Sequence, residues 1–525
     1  FMTAILLGKE RDLYNVLALA ALVILLFNPP ALFDVSFQLS FAAVASLLFL
    51  TPRLAAFLPK PTSNVGHGRE NRGRGARIIS RWIHGAILFV FATLSATLGT
   101  LPFIVLYFNR ISTVTLFANI LVMPILGILV IPISMALIFT VPCLPIVSLG
   151  LVRLDALLVG LSVDIIERFA ALPFASIDIC TPGIADMIFY YSILILAGLL
   201  LPKPRHPESG PAPEPSRPVS RRALAASVIV LSTVWTVVTV HDRFIANHSD
   251  RLSVVAVDVG QGSATLVRLP YGKTMLIDGG GFRESAFDVG KSVLAPFLWH
   301  EGLRTIDICV LTHPHHDHLQ GLVFILSHFS IGEVWIADGP EPASELYRDF
   351  LRVIRERNIT VVRFSSRTPT RHVNGVRISC LNPSPGHPDP AGLEDDNVAN
   401  DRSLVLKLVY GRTSFLLPAD ISERIESRLV AEDAEIKSDI LFVPHHGGRH
   451  SSSEAFLRRV APDSAVVSCG LENRFHNPHP DVLNRFARLG IPLYRTDRDG
   501  AIRMVSDGRR IRTDTALCPS KLSAH

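Results

Sequence analysis

Charge is what this sequence is short of. Asp, Glu, Lys and Arg make up 18% of its 525 residues, against about 25% in ordinary soluble domains. Apolar residues reach 49% and mean hydropathy is +0.36, which excludes a wholly soluble chain and a disordered one. Cysteine is scarce too: the six (Cys143, Cys180, Cys309, Cys380, Cys469, Cys518) form no Cys-x-x-Cys pair, which argues against a structural zinc knuckle. No basic n-region, apolar h-region and cleavage site occur in order at the start. Phe1 stands where an initiator Met would, so a fragment lacking its N-terminal part is expected. No sign of charge dominates, since the net is +5, which neither demands nor excludes a polyanionic partner.

The apolar residues concentrate before about residue 240 and the charges after it. Crossing roughly 30 Å of hydrocarbon takes about 20 mostly apolar residues. Seven segments approach this: 13–27, 31–50, 83–108, 114–140, 144–163, 186–201 and 223–240. Asn28-Pro29-Pro30 after the first reads as a tight hairpin. Arg153, Asp155, Asp164 and Glu167 interrupt 144–163 or follow it closely, leaving a span or an interfacial amphipathic helix open there. Pro102, Pro124, Pro132, Pro142 and Pro145 predict kinked or broken helices.

Basic residues in short loops set orientation. The 51–81 loop carries Arg53, Lys60, Arg69, Arg72, Arg74, Arg77 and Arg81 against Glu70 alone. The Pro-rich 202–222 linker carries Lys203, Arg205, Arg217, Arg221 and Arg222 against Glu208 and Glu214. Both are expected in the cytoplasm, with an even number of crossings between them. The segment 223–240 then delivers everything after it to the opposite face. Polar groups inside a bilayer are costly, so Asp34, Gln38, Asp155, Asp164 and Glu167 are candidates for a polar conduit. Interfacial placement with local pairing, such as Asp164 with Arg168, is the competing reading.

From Arg251 the texture becomes short strands broken by helices, 285–300 among them. That pattern suggests stacked sheets covered by helices. A buried strand at 306–311 runs into Thr312-His313-Pro314-His315-His316-Asp317-His318. His313 and His315 alternate, so both imidazoles can aim at one ion, while Asp317 and His318 turn toward a second position. Imidazole and carboxylate without thiolate suit a hydrolytic zinc or manganese rather than a structural ion.

This stretch resembles the metallo-β-lactamase superfamily, whose HxHxDH motif matches His313, His315, Asp317 and His318. Leu276-Ile277-Asp278-Gly279-Gly280 is similar to its strand-terminal aspartate, which buttresses the metal loop. Phe415 to Asp420 is similar to the strand ending in a metal-bridging aspartate, with Ala419 where the family more often has Gly. Val443-Pro444-His445-His446-Gly447-Gly448 is similar to the later histidine motif, with His445 favoured as ligand of the second ion and His446 as the fallback. Asp258-Val259-Gly260-Gln261-Gly262 and Asn28-Pro29 followed by Phe33-Asp34…Phe37-Gln38-Leu39-Ser40-Phe41 narrow the resemblance to the ComEC family of competence DNA-uptake channels. So do Ser451-Ser452-Ser453, Asn473-Arg474-Phe475…Pro478-His479-Pro480 and Thr496-Asp497.

The resemblance implies a multidomain fold: a polytopic α-helical membrane domain over 1–201, a cytoplasmic linker over 202–222, a last transmembrane helix at 223–240 and an α/β (αββα) metallo-β-lactamase-like domain over 251–516. It implies a multi-pass protein of the bacterial inner membrane whose C-terminal domain is periplasmic. The cofactor expected is a pair of divalent ions, Mn or Zn, held by His313, His315, Asp317, His318, Asp420 and His445, with Asp317 and Asp420 catalytic. Asp278, His446, Asn400, Asp401, Ser403 and His479 are supporting or substrate-contacting candidates. Arg402, Arg449, Arg474 and Arg498 either hold neighbouring phosphates or are solvated. Implied partners are DNA (duplex as substrate, single strand as product), membrane lipid, other uptake machinery and a second copy of the chain. The alternative is a transporter whose lactamase-like domain performs no hydrolysis and only gates or docks; a membrane-tethered hydrolase of small esters ranks last.

Overall fold

A computed structural model describes residues 13–58, 74–202, 220–283, 285, 287–384 and 396–517. Residues 59–73 of the first basic loop and 203–219 of the 202–222 linker lie outside those residues. The chain separates into two compact units, Phe1–Val238 and Thr239–His525.

The first unit is helical: α1 (Leu13–Phe27), α2 (Val35–Ala55), α3 (Arg74–Phe108), α4 (Thr115–Pro124), α5 (Ile131–Cys143), α6 (Pro145–Ala170), α7 (Ile184–Leu200) and α8 (Arg221–His248). Among the described residues, five stretches are long and apolar enough to cross a membrane: Val35–Ala55, Ile78–Phe108, Thr115–Cys143, Pro145–Ala170 and Arg221–His241. The helices α1 and α7, at 15 and 17 residues, are shorter. Large apolar side chains such as Phe27, Trp82 and Ile146 are exposed while Ser46, Ser95, Ser148 and Ser162 are buried. That inside-out distribution suits helices meeting through small residues in lipid.

Two segments differ from the sequence expectation. The span expected from residue 31 starts at Val35, because Pro29–Phe33 forms a 3₁₀ turn. The Asp34 carboxylate then caps α2 by accepting from the Ser36 N–H at 2.8 Å. The span 114–140 is composite, with a π-helical segment Ile125–Val130 between α4 and α5. Pro124 and Pro132 flank that segment, and each removes a helical N–H. Helix α6 is continuous through 144–163, with Asp164 and Glu167 exposed near its end. Asp155 in its middle accepts from the Ser134 hydroxyl at 3.1 Å. Gln38 donates to the Leu32 carbonyl and accepts from the Tyr107 hydroxyl, at 2.8 and 2.7 Å. Strand β1 (Arg110–Ser112) pairs with β2 (Ser176–Asp178), tied by an Arg110–Asp178 ion pair at 2.9 Å.

The second unit is a two-sheet sandwich. One sheet runs β17 (Ile511–Thr515), β16 (Ile502–Ser506), β3 (Leu252–Ala256), β4 (Thr265–Arg268), β5, β6, β7 and β8 (Thr360–Phe364), and the other β15 (Leu493–Arg495), β14, β13, β12, β11 (Val405–Tyr410), β10 (Val376–Asn382) and β9 (Arg371–Val373). The strands that matter for the site are β5 (Thr274–Ile277), β6 (Thr305–Leu311), β7 (Ser330–Ala337), β12 (Thr413–Leu417), β13 (Ile440–Phe442) and β14 (Ser464–Val467). Within each sheet these strands are mutually parallel, so their C-terminal ends emerge on one edge of that sheet. Strand alternation sends Ile308, Val310, Trp335, Leu406, Phe415 and Ile440 into one core between the sheets. A second core lies on the other face of the seven-stranded sheet. There Ile425 and Leu429 of α13 (Glu423–Ala431), Phe456 of α14 (Glu454–Val460) and Phe486 of α15 (Pro480–Arg488) cover Leu416, Leu441 and Val467. The crossovers β6–α10–β7 and β7–α11–β8, with α10 (His316–His328) and α11 (Glu345–Glu356), join parallel strands. These features give the αββα architecture. The helix expected over 285–300 is shorter: a π-helical turn from Gly290 leads into α9 (Ala295–His300), after the Asp288 carboxylate accepts from the Lys291 N–H.

Candidate metal centre

The ends of five parallel strands supply the centre: Asp278 after β5, Thr312–His318 after β6, Asp420 after β12, His446 after β13 and Ser468 after β14. Gly262 lets the opening loop reach it. Its φ is +85, and a Cβ there would fall 1.8 Å from the Asp317 carbonyl oxygen, so only glycine fits.

Asp278, 2% exposed, organises the β6 loop. One carboxylate oxygen accepts the Thr312 N–H at 2.8 Å, and the other accepts the Thr312 hydroxyl and His318 Nδ1–H, both at 2.7 Å. His318 is thereby fixed with Nε2 directed inward. The Thr312 hydroxyl, having given its proton to Asp278, accepts from His313 Nδ1–H at 3.1 Å. That leaves His313 Nε2 as a bare lone pair, buried and with no hydrogen-bond partner. Burial, reinforced by the neighbouring His318 charge, holds His313 well below the ordinary imidazole range. Its Nε2 stands 3.9 Å from an Asp420 oxygen. Two acceptors facing each other in a dry site need a cation between them.

His446 donates from Nδ1 to the Ser468 carbonyl at 2.9 Å. Its Nε2 lies 3.4 Å from Asp420, 3.5 Å from Asp317 and 3.3 Å from His318 Nε2. Among the described residues, Asp317, His318, Asp420 and His446 each bring one ligand atom within 4.8 Å of the others. Burial works against the charged forms of all four. The carboxylates nevertheless raise His318 well above its usual range and push His446 up to about 10. The imidazoles in turn hold Asp317 and Asp420 well below the carboxylate range. Two carboxylates and two imidazoles, all buried except the partly exposed Asp317, form the donor set of a divalent ion. The His315 ring meets His313 edge-on at 4.7 Å.

Other expected residues fare differently. His445, favoured over His446, lies outside the four-residue group; half-exposed, it pins the turn by donating its N–H to the Ala419 carbonyl at 3.1 Å. The cause is three successive left-handed residues, His445, His446 and Gly447 (φ +51, +54 and +75), which swing His446 inward instead. Asp401 is bound to Ser422 and Arg424. Asn400 Oδ1 and Ser403 Oγ are buried without partners, beside Leu404, whose N–H donates to the Thr312 carbonyl. His479 caps α15, accepting the Asp481 N–H at 3.2 Å. Ser453 caps α14. Of the four arginines, Arg402 holds the Asp338 carbonyl, Arg449 pairs with Asp481 and Arg498 with Asp499, while Arg474 lies over Phe475. Sequence reading missed Thr312 and Ser468. Thr312 had a signal, standing between the strand and the first histidine; Ser468 contributes only a carbonyl and had none.

The Competence protein family matches residues 1–204, and the Metallo-beta-lactamase superfamily matches residues 257–389. ComE operon protein 3 of Bacillus subtilis is 26% identical over 503 residues, covering 93% of this chain and 57% of that protein. Competence protein ComA of Neisseria gonorrhoeae is 29% identical over 251 residues, 48% of this chain and 32% of that protein. The chain thus spans little more than half of the first and a third of the second. A diphosphatase of the PhnP family aligns in three dimensions with 49% of this chain and 98% of its own, at 15% identity and a TM-score of 0.29.

Proposed function

From a chain that joins a competence-protein domain to a metallo-β-lactamase superfamily domain, we propose a bacterial inner-membrane channel for DNA uptake whose C-terminal unit is a metal-dependent DNA hydrolase. It passes a single strand inward and degrades DNA outside. The observation that carries the hydrolase reading is His313 Nε2, a buried lone pair without a partner, beside the converging Asp317, His318, Asp420 and His446. His313 and His315 would hold one divalent ion, Mn or Zn. Asp317, His318 and His446 would hold a second, and Asp420, 3.9 Å from His313 Nε2 and 3.4 Å from His446 Nε2, would be within reach of either set. Such ions supply a hydroxide at neutral pH and offset charge on a phosphodiester.

The protein's own contribution is orientation. Asp278 sets the His318 tautomer and, through Thr312, that of His313; the Ser468 carbonyl sets His446. All of these groups are buried, which limits competing water and strengthens charge interactions. Replacing Asp317 and His318 together with Ala in the full chain should abolish Mn- or Zn-dependent DNA cleavage. Retained cleavage would move the active centre elsewhere. The docking alternative draws on Arg402, Arg449 and Arg498 being engaged by protein groups; a purified chain that binds no divalent ion would favour it.

A further inference from the structure

Next to the metal centre, a cleft open to solvent lies between the ends of β6 and β7, with His313 on its lining. His313 and Pro314 form one wall, Ala337, Pro340 and Pro342 another, and Tyr347 and Ala399 close the rest. We propose that this cleft takes the nucleobase flanking the phosphodiester at the metal centre, a subsite that rests on the hydrolase reading above and gives it a substrate contact.

Three features support the assignment. The rim is built in advance: Arg402 donates to the Asp338 carbonyl at 3.0 Å, and Arg363 to the Gly339 carbonyl at 3.1 Å and to Glu341 at 2.6 Å. Gly339, at φ +143, lies so close over Arg402 that a Cβ would fall 1.4 Å from its Nη2. The rim is therefore held in place without ligand, which lowers the cost of binding. The second feature is chemistry. Proline rings, Tyr347 and alanines offer flat apolar contact, which a base can use and a sugar-phosphate cannot. The third is position. His313 lines both the cleft and the metal cluster, so a nucleotide with its phosphate at the cluster has its base beside the opening. Stacking of this kind tolerates any base, so the subsite gives preference for a nucleotide over a bare sugar-phosphate without sequence preference.

The test is equilibrium binding of two probes, thymidine 5′-monophosphate and deoxyribose 5-phosphate, to the full chain in detergent with Mn²⁺. The base should tighten binding by roughly tenfold. Ala337→Phe and Ala399→Leu, which fill the cleft, should erase that difference while leaving Mn²⁺ stoichiometry unchanged. Equal affinity of the unaltered chain for both probes would overturn the subsite, and that arm needs no variant to fold. A base preference that survives both fillings would overturn it as well. Failure of the hydrolase reading appears separately, as absence of Mn²⁺-dependent DNA cleavage by the unaltered chain.

Discussion

Ala419 holds φ at +52, in the left-handed region that favours glycine, immediately before Asp420. An L-residue there costs about 1–2 kcal/mol, partly offset by the larger chain entropy glycine loses on folding. Ala419→Gly should stabilise the second unit by about 0.5–1 kcal/mol with metal stoichiometry intact, read as a rise in melting temperature. An unchanged or lower melting temperature would mean that the turn is not strained. Asp499 shows the opposite situation, a charge well served. It is 2% exposed and accepts the Arg495 N–H at 2.8 Å and Arg498 Nε–H at 3.0 Å. Burial raises its pKa, but the Arg498 and Arg495 contacts outweigh this and hold it below the carboxylate range. A depressed folded pKa adds stability above the unfolded value of about 3.9, which is lost as pH falls through the folded one. Asp499→Asn should therefore cost about 1–3 kcal/mol at neutral pH, and denaturant melts should show the gap closing below about pH 4. A gap of equal size at both ends of that range would assign the loss to something other than charge. Both residues sit in turns, and neither advertises its backbone or its partners in one dimension.

At the scale of elements, Pro102 lies inside α3 and has no N–H for the Leu98 carbonyl one turn earlier. Tyr190 of α7 donates its hydroxyl to that same carbonyl at 2.8 Å, and Tyr191 donates to the Gly99 carbonyl at 2.8 Å. The carbonyl that Pro102 leaves free is thus satisfied by a neighbouring helix, the arrangement that makes proline tolerable in an apolar helix. Tyr190→Phe should lower stability in detergent by about 0.6–2 kcal/mol, and Tyr190→Phe with Tyr191→Phe by more. If neither changes the thermal midpoint, the two hydroxyls do not support the helix at Pro102. The prolines predicted kinked or broken helices; the structure shows a π-helical stretch at Ile125–Val130 flanked by Pro124 and Pro132, and, at Pro102, a hydroxyl from Tyr190 on the freed Leu98 carbonyl. In the sandwich, the strand β6 and its HxHxDH loop were legible because a short apolar run and the motif lie side by side. The 285–300 helix was overextended, since a continuous pattern does not reveal where a side-chain cap starts the turn.

For the whole molecule, the basic loops before α3 and before α8 are expected on one face of the membrane, with α8 carrying Thr239–His525 to the other. An alkaline phosphatase fused after Leu517, active only in an oxidising compartment, should be active in cells. An inactive fusion would place the two-sheet unit in the cytoplasm and remove the uptake reading.

The sequence by itself determined the apolar helical unit, the two-sheet unit and the contiguous His313, His315, Asp317 and His318 of the β6 loop. Each of these depends on local composition, periodicity or contiguous spacing, all of which are properties of neighbours in the chain. Only the tertiary structure decided that His446 and not His445 joins Asp317, His318 and Asp420, that Thr312 and Ser468 set the tautomers, and that Asp401 and His479 serve turns and caps. Those outcomes depend on where three left-handed residues aim a ring and on which carbonyl ends the neighbouring strand. Such geometry exists only once strands more than 100 residues apart have packed together.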